Sequence, residues 1–119
     1  MIALFFGSRD WTDSDRIADD VADLPAETIV VSGGARGADS LSAAEARRRG
    51  LHVAVVHAQW VPFGKSAGPR RNAAMMLLRP DIAYGYDLGG RGTADMARRL
   101  LEAGVPVVMV DGRAGGGER

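Results

Sequence analysis

Short apolar runs and segments of mixed polarity alternate along the whole chain. Residues 2–6 are all apolar and are followed by glycine, a pattern that indicates a strand buried on both faces. Similar short runs, several of them rich in β-branched residues, occupy residues 28–32, 51–56 and 106–110, and a weaker one occupies residues 81–86. The pattern therefore predicts five short strands.

The segments between these runs have the composition and spacing of helices. Residues 13–24 carry apolar side chains at helical spacing, behind residues that suit a helix N-cap. Three more helices are predicted over residues 38–49, 69–78 and 93–103. Residues 59–68 are interrupted by proline and glycine and are predicted to form a loop.

Alternation of strands and helices predicts an α/β fold. The expected architecture is a single Rossmann-like domain with about five parallel strands and helices on both faces of the sheet. A length of 119 residues allows one such domain. We predict that it spans residues 1–110, and that the Gly-rich residues 111–119 form a disordered tail.

Composition and charge exclude several classes of protein. Fifteen Lys and Arg residues balance fifteen Asp and Glu residues, so net charge gives no general attraction to nucleic acid or anionic lipid. The absence of cysteine excludes disulfides, thiolate zinc sites and cysteine nucleophiles. No apolar run approaches the roughly 20 residues of a membrane span. We therefore expect a cytoplasmic protein without membrane contact.

Glycine and site-like polar residues follow the carboxyl ends of the predicted strands. Parallel strands end at one edge of the sheet, which is where ligands bind in this class of fold. Glycine turns that open helices direct free N–H groups at an anion, and two of the turns contain an arginine. The predicted ligand-binding residues are Gly7, Ser8, Arg9, Ser32, Gly33, Gly34, Arg36, Gly37, Asp39, Lys65, Arg70, Arg71, Asn72, Gly90, Arg91, Gly92 and Thr93.

Common catalytic and cofactor motifs do not fit. Gly64-Lys65-Ser66 lacks the earlier glycine of a P-loop, and both histidines precede Ser66, which argues against a serine hydrolase. The glycine turns do not reproduce the G-x-G-x-x-G pattern of dinucleotide dehydrogenases. No cofactor and no metal site are expected. Trp11 and Trp60 both follow strand ends, and one of them is a candidate for stacking on a base, with a lid or core role as the alternative.

Four motifs together resemble the YspA/YpsA-related branch of the SLOG superfamily. They are Gly-Ser-Arg-Asp-Trp-Thr-Asp (7–13), Ser-Gly-Gly-Ala-Arg-Gly-Ala-Asp (32–39), Gly-Lys-Ser-Ala-Gly-Pro-Arg-Arg-Asn (64–72) and Gly-Gly-Arg-Gly-Thr-Ala-Asp-Met (89–96). The resemblance spans nearly the whole chain. It implies a Rossmann-like domain that recognises nucleotides or nucleotide-derived ligands, in a branch often associated with phages and mobile elements.

Two related families define the alternatives. The LONELY GUY phosphoribohydrolases, which release a base from nucleoside monophosphates, are similar in the turn at residues 88–96, but Leu88 and Met96 replace their proline and catalytic glutamate. If the chain cleaves a glycosidic bond, Asp39 or Asp95 is the candidate catalytic carboxylate. The DNA-processing protein A family, which binds single-stranded DNA, is similar in the Gly-Ser-Arg and Pro-x-Arg-Asn elements.

The main hypothesis is a protein that binds a nucleotide-derived phosphorylated ligand, such as an ADP-ribose-type molecule, to sense, carry or sequester it. The alternatives are a nucleotide N-glycosidase or phosphoribohydrolase and, third, a single-stranded nucleic-acid binder. Nucleic acid is the weaker alternative because the chain has zero net charge and few aromatic residues. A homo-oligomer is expected from the family resemblance, and an acidic segment at residues 1–30 within a neutral chain is compatible with it.

Overall fold

The computed structural model describes residues 1–112. Strands and helices alternate along the chain, with one helical turn more than the sequence pattern predicts. The elements are β1 (Ile2–Gly7), α1 (Ser14–Ala22), β2 (Ile29–Ser32), α2 (Ala38–Arg48), β3 (His52–Val55), α3 (Trp60–Phe63), α4 (Ala67–Met76), β4 (Ile82–Asp87), α5 (Arg91–Glu102) and β5 (Val107–Asp111).

The five strands form one parallel sheet in the order β3-β2-β1-β4-β5. The predicted α/β class and Rossmann-like architecture are confirmed. The chain builds the sheet outward from β1 to β3 and then returns to place β4 on the other side of β1. This reversal leaves a crevice at the carboxyl ends of β1 and β4, the place where such sheets bind ligands.

Each face of the sheet is covered by its own helices. On one face, α1 and α2 enclose Phe5, Tyr84 and Tyr86, and the rings of Phe5 and Tyr84 stack with their centroids 4.7 Å apart. On the other face, Met75 of α4 and Met96 of α5 are fully buried against strand side chains. Burial of such side chains contributes about 1.5–3 kcal/mol each, so packing on both faces stabilises the sheet beneath the crevice.

Most of the predicted boundaries differ from the observed ones by one or two residues, as for the helix predicted over residues 69–78 and observed at Ala67–Met76, and three differences bear on the site. Residues 60–63, predicted as loop, form the one-turn helix α3, followed by a 3₁₀ turn at Gly64–Ser66. A single turn is too short to produce a detectable apolar periodicity. Helix α5 begins at Arg91 because Gly90 supplies the backbone conformation of its N-cap. Strand β5 continues through Asp111, and residues 113–119 of the predicted tail lie outside the described residues.

None of the helices within residues 1–112 is long and apolar enough to cross a membrane.

Candidate functional site

A cleft of about 910 Å³ opens at the crevice between the ends of β1 and β4. Its volume is within the range of pockets that enclose small organic ligands. Its walls come from the turns after β1, β2 and β4 and from the segment that joins α3 to α4. Thirteen of the predicted ligand-binding or catalytic residues line it: Gly7, Ser8, Arg9, Arg36, Asp39, Lys65, Arg71, Asn72, Gly90, Arg91, Gly92, Thr93 and Asp95.

Five predicted residues do not line the cleft: Ser32, Gly33, Gly34, Gly37 and Arg70. The Ser32 hydroxyl donates to the main-chain carbonyl of Asp39 at 2.8 Å. Gly34 lines a second, smaller cavity of about 230 Å³ beside His57. The guanidinium of Arg70 lies over the ring of Phe63, 4.3 Å from its centroid. These residues support the walls of the site or lie beside it.

In the glycine turn before α2, the protein's own groups occupy the space and the amides that a ligand would need. Gly37 has φ +77°, and a Cβ there would lie 2.3 Å from the carbonyl oxygen of Arg9, so only glycine fits. The first amide of α2, that of Ala38, donates to the Ser8 carbonyl at 3.2 Å, and the Ser40 amide donates to the Ala35 carbonyl. An acidic side chain, Asp39, also occupies the first turn. This turn therefore has little capacity left for a phosphate.

The glycine turn before α5 is open. The N-cap is Gly90, with φ +113°, and as a glycine it has no side chain to cap the helix. The first three amides of a helix have no acceptor within the helix, and here they belong to Arg91, Gly92 and Thr93, which all line the cleft. The first turn contains no acidic residue. The positive end of the α5 dipole therefore lies at the cleft with no carboxylate in its first turn; the acids on either side of it in the chain are Asp87, which accepts from the Gly89 amide at 2.7 Å, and Asp95 in the second turn.

Ser8 connects the two turns that flank the crevice. Its hydroxyl donates to the carbonyl of Gly89 at 2.9 Å and accepts from the amide of Leu88 at 2.8 Å. The side chain is buried, so both bonds are shielded from water. Ser8 therefore fixes the turn before α5 in place, and its hydroxyl proton is already used by the protein.

Asp39 is a buried acid in the wall of the cleft. Its carboxylate lies 3.8 Å from the guanidinium of Arg71 and accepts from the Ala35 amide at 3.2 Å. Burial nevertheless raises the pKa of Asp39 to about 6, against the attraction of Arg71, the Ala35 amide and Arg9. A carboxyl that titrates near neutrality beside a cleft is able to exchange a proton with a ligand.

The ion pair with Arg71 and two hydrogen bonds link Asp39 to α5. Arg71 Nη1 donates to the carbonyl of Gly33, and its Nε donates to Asn72 Oδ1 at 3.1 Å. Asn72 Nδ2 in turn donates to Asp95 Oδ2 at 3.0 Å. Asn72 thus uses both of its amide hydrogens within the protein, the second on the Gly92 carbonyl at 3.2 Å, and Arg71 uses two of its five N–H groups, so both act as positioning groups in this structure.

Asp95 is held by three donors. Besides Asn72, its carboxylate accepts from Arg98 at 2.7 Å and from Arg99 at 2.8 Å. Desolvation alone would raise the pKa of Asp95, but the bonds from Arg99, Asn72 and Arg98 outweigh it and lower that pKa. Of the two predicted catalytic carboxylates, Asp95 is therefore fixed in its ionised form, whereas Asp39 can change its protonation state.

Three cations in the cleft form no ion pair within the described part of the chain: Arg9, Lys65 and Arg91. By contrast, Arg36 pairs with Asp10 at 3.2 Å. Unpaired cations next to an open helix N-terminus favour an anionic ligand.

The sequence pattern missed part of the apolar wall. Met75, Leu88 and Met96 line the cleft, although Met75 and Met96 also belong to the core. The two tryptophans differ in exposure and in surroundings. Trp11 is 4% exposed and packs against Tyr86, whereas Trp60 is 46% exposed and lines the cleft. Only a structure could distinguish them, because both follow strand ends in the sequence.

Comparisons with known proteins agree with this fold. Residues 1–63 match the family model of the YspA, cpYpsA-related SLOG family. The Gene 61 protein of Mycobacterium phage D29 is 36% identical over 115 residues, which cover 88% of this chain and 92% of the phage protein. The X-ray structure of DNA processing protein A from Streptococcus pneumoniae is similar over 93% of this chain, with a TM-score of 0.61 and 16% identity. This chain spans 59% of that structure, and the likeness concerns the fold alone.

Proposed function

The chain belongs to the YspA, cpYpsA-related SLOG family, and we propose that it binds a nucleotide-derived phosphorylated ligand of the ADP-ribose type in the cleft between β1 and β4. Family membership supports a function related to nucleotides or nucleic acid. In this proposal the protein senses, carries or sequesters the ligand.

The observation that carries the proposal is the open N-terminus of α5. Arg91, Gly92 and Thr93, whose amides have no acceptor within the helix, line a cleft that also holds Arg9 and Lys65, two cations that form no ion pair within residues 1–112. A phosphate there would accept backbone hydrogen bonds and would compensate the helix dipole. The cleft is large enough for more than a phosphate, which supports a ligand with a sugar and a base attached.

A second candidate function is cleavage of a nucleotide at its glycosidic bond, and Asp39 is the observation that favours it. A carboxyl with a pKa of about 6 is protonated in part of the molecules near neutrality and can protonate a leaving base. Asp95 is a poorer candidate, because three donors already hold its carboxylate.

Binding of single-stranded nucleic acid is the third candidate. It rests on the fold shared with a DNA processing protein and on the exposed cations around the cleft. Zero net charge argues against a long electrostatic footprint.

The test is calorimetric titration of the purified protein with ADP-ribose, AMP and a short oligonucleotide, with native mass spectrometry of each mixture. We expect one ADP-ribose per site and at least tenfold weaker binding in Arg91→Ala, because a charge-assisted hydrogen bond contributes about 1.5–3 kcal/mol. The matched control is Arg48→Ala, an exposed arginine on α2 away from the cleft.

Each other outcome contradicts the proposal in a recognisable way. Equal affinity of Arg91→Ala and the unaltered protein would remove the α5 site. If the unaltered protein releases the base from AMP and Asp39→Asn does not, the protein is a nucleotide glycosidase instead. Binding only to the oligonucleotide, with an affinity that falls steeply with salt, would establish the nucleic-acid binder.

A further inference from the structure

Trp60 presents a half-exposed aromatic ring to the same cleft. It is the first residue of α3, it is 46% exposed, and it lines the cavity that the α5 N-terminus enters. Because α3 has a single turn and none of its residues is buried, the indole is not part of the core. A large aromatic side chain left partly in water costs hydrophobic free energy, which a stacked ring would recover.

Two neighbours lie beside the indole. The guanidinium of Arg9 lies over the ring, 5.3 Å from its centroid. On α4, Gly68 has no side chain to displace the ring, and a Cβ there would lie 3.4 Å from Trp60 Cη2. Arg9 forms no ion pair within residues 1–112; it attracts the Asp39 carboxylate at longer range and lies over the Trp60 ring, where cation–π attraction favours it. The indole therefore has a cation over one face and is not covered by the core.

The cleft therefore offers two kinds of chemistry. The N-terminus of α5 and the Arg91 side chain suit phosphate. Trp60, which lies beside Arg9 and Gly68, offers an aromatic surface. A sugar phosphate would use only the first of these, whereas a nucleotide would use both.

We propose that Trp60 is the base-stacking residue of this site, so that the ligand is a nucleotide that places its planar ring on the indole while its phosphate occupies the α5 N-terminus. This inference rests on the proposed function and narrows it. It makes the base, and not the phosphate alone, a determinant of affinity.

The test compares two ligands that differ by the base. Dissociation constants of AMP and ribose 5-phosphate are measured by calorimetry on the full chain, and chromatography of the mixture verifies that AMP stays intact. Base stacking on an aromatic residue is worth about tenfold in affinity. We expect AMP to bind about tenfold more tightly than ribose 5-phosphate, and Trp60→Ala to abolish this difference by weakening AMP alone.

Two further variants separate stacking from a structural role. Trp60→Phe retains an aromatic ring and should restore part of the preference for AMP. Phe63→Ala is the matched control, because Phe63 belongs to the same helical turn and is 41% exposed but does not line the cleft. This control should bind both ligands as the unaltered protein does.

Three results would overturn the inference. Equal affinities of the unaltered protein for AMP and ribose 5-phosphate would show that the phosphate site exists without a base subsite. Equal weakening of both ligands by Trp60→Ala would assign Trp60 to the shape of the cleft. Binding of neither ligand, together with no binding of ADP-ribose, would remove the proposed function and this inference with it.

Discussion

Replacing Asp39 with asparagine should stabilise the fold at neutral pH and have little effect in acid. The side chain of Asp39 is buried in the wall of the cleft, and burial raises its pKa from 3.8 to about 6. Between those two values the unfolded chain has lost the Asp39 proton while the folded chain keeps it. The protein is therefore destabilised as pH rises from about 4 to about 6.

The magnitude follows from the size of the shift. One pKa unit corresponds to about 1.36 kcal/mol, so a rise from 3.8 to about 6 costs the folded state about 3 kcal/mol once the carboxylate is ionised. Asparagine has no proton to lose, and its side-chain oxygen can still accept from the Ala35 amide. The difference in unfolding free energy between Asp39→Asn and the unaltered protein should thus grow from near zero at pH 4 to about 3 kcal/mol at pH 7.

Urea unfolding at several pH values measures this difference directly. The fluorescence of Trp11, which is buried against Tyr86, reports the transition. Asp95 has a lowered pKa and a pH dependence of opposite sign, but it is present in both proteins and cancels in the comparison. The control is Asp19→Asn, an exposed position on α1.

Two results would refute this reasoning. A difference that does not change between pH 4 and pH 7 would show that Asp39 titrates at the same pH in the folded and unfolded chains. Strong destabilisation by Asp39→Asn at pH 7 would show that the ion pair with Arg71 outweighs the cost of burying the carboxylate.

Three further substitutions, one of them a control, test the internal supports of the cleft. Gly37→Ala should lower the free energy of unfolding, measured in urea, by at least about 2 kcal/mol, because Gly37 has a φ of +77° and an added Cβ would clash with the Arg9 carbonyl. Gly92 has open space around it, so the control Gly92→Ala should unfold within about 1 kcal/mol of the unaltered protein. Asn72→Ala should destabilise by about 2 kcal/mol and also weaken ADP-ribose binding, since it removes the buried link between Arg71 and α5; unchanged affinity in calorimetry would contradict a positioning role.

The architecture could be predicted because the signals for it are local. Five apolar runs, each ended by a turn, are sufficient to specify a parallel sheet when helices separate them. The strand-end rule then places the polar clusters at one edge, and the cleft lies there. Helix α3 was not predictable in this way, because its four residues carry no periodic pattern and its exposed apolar side chains look like those of a loop.

Which of the cleft residues bond to the protein and which are left for a ligand could not be predicted, because this depends on hydrogen bonds between residues distant in the sequence. Ser8 is bonded to Gly89, which lies 81 positions away in the chain, and Arg71 is bonded to Gly33 across 38 positions. Nothing near Ser8 or Arg71 in the sequence shows that their donors are used internally. Both residues were predicted to contact ligand, and the structure shows them first as groups that hold the walls together.

The two glycine turns show what a sequence can still disclose about such a site. Both precede a helix and both contain an arginine, but the turn before α2 is followed by Asp39 in the first helical turn, whereas the turn before α5 has no acidic residue there. A carboxylate at a helix N-terminus supplies the negative charge that the dipole favours. Helix α2 therefore carries its own anion, and Arg91 adds positive charge to the already positive end of α5. That arrangement is unfavourable in the free protein, and an anion bound at the α5 N-terminus, as proposed, would relieve it.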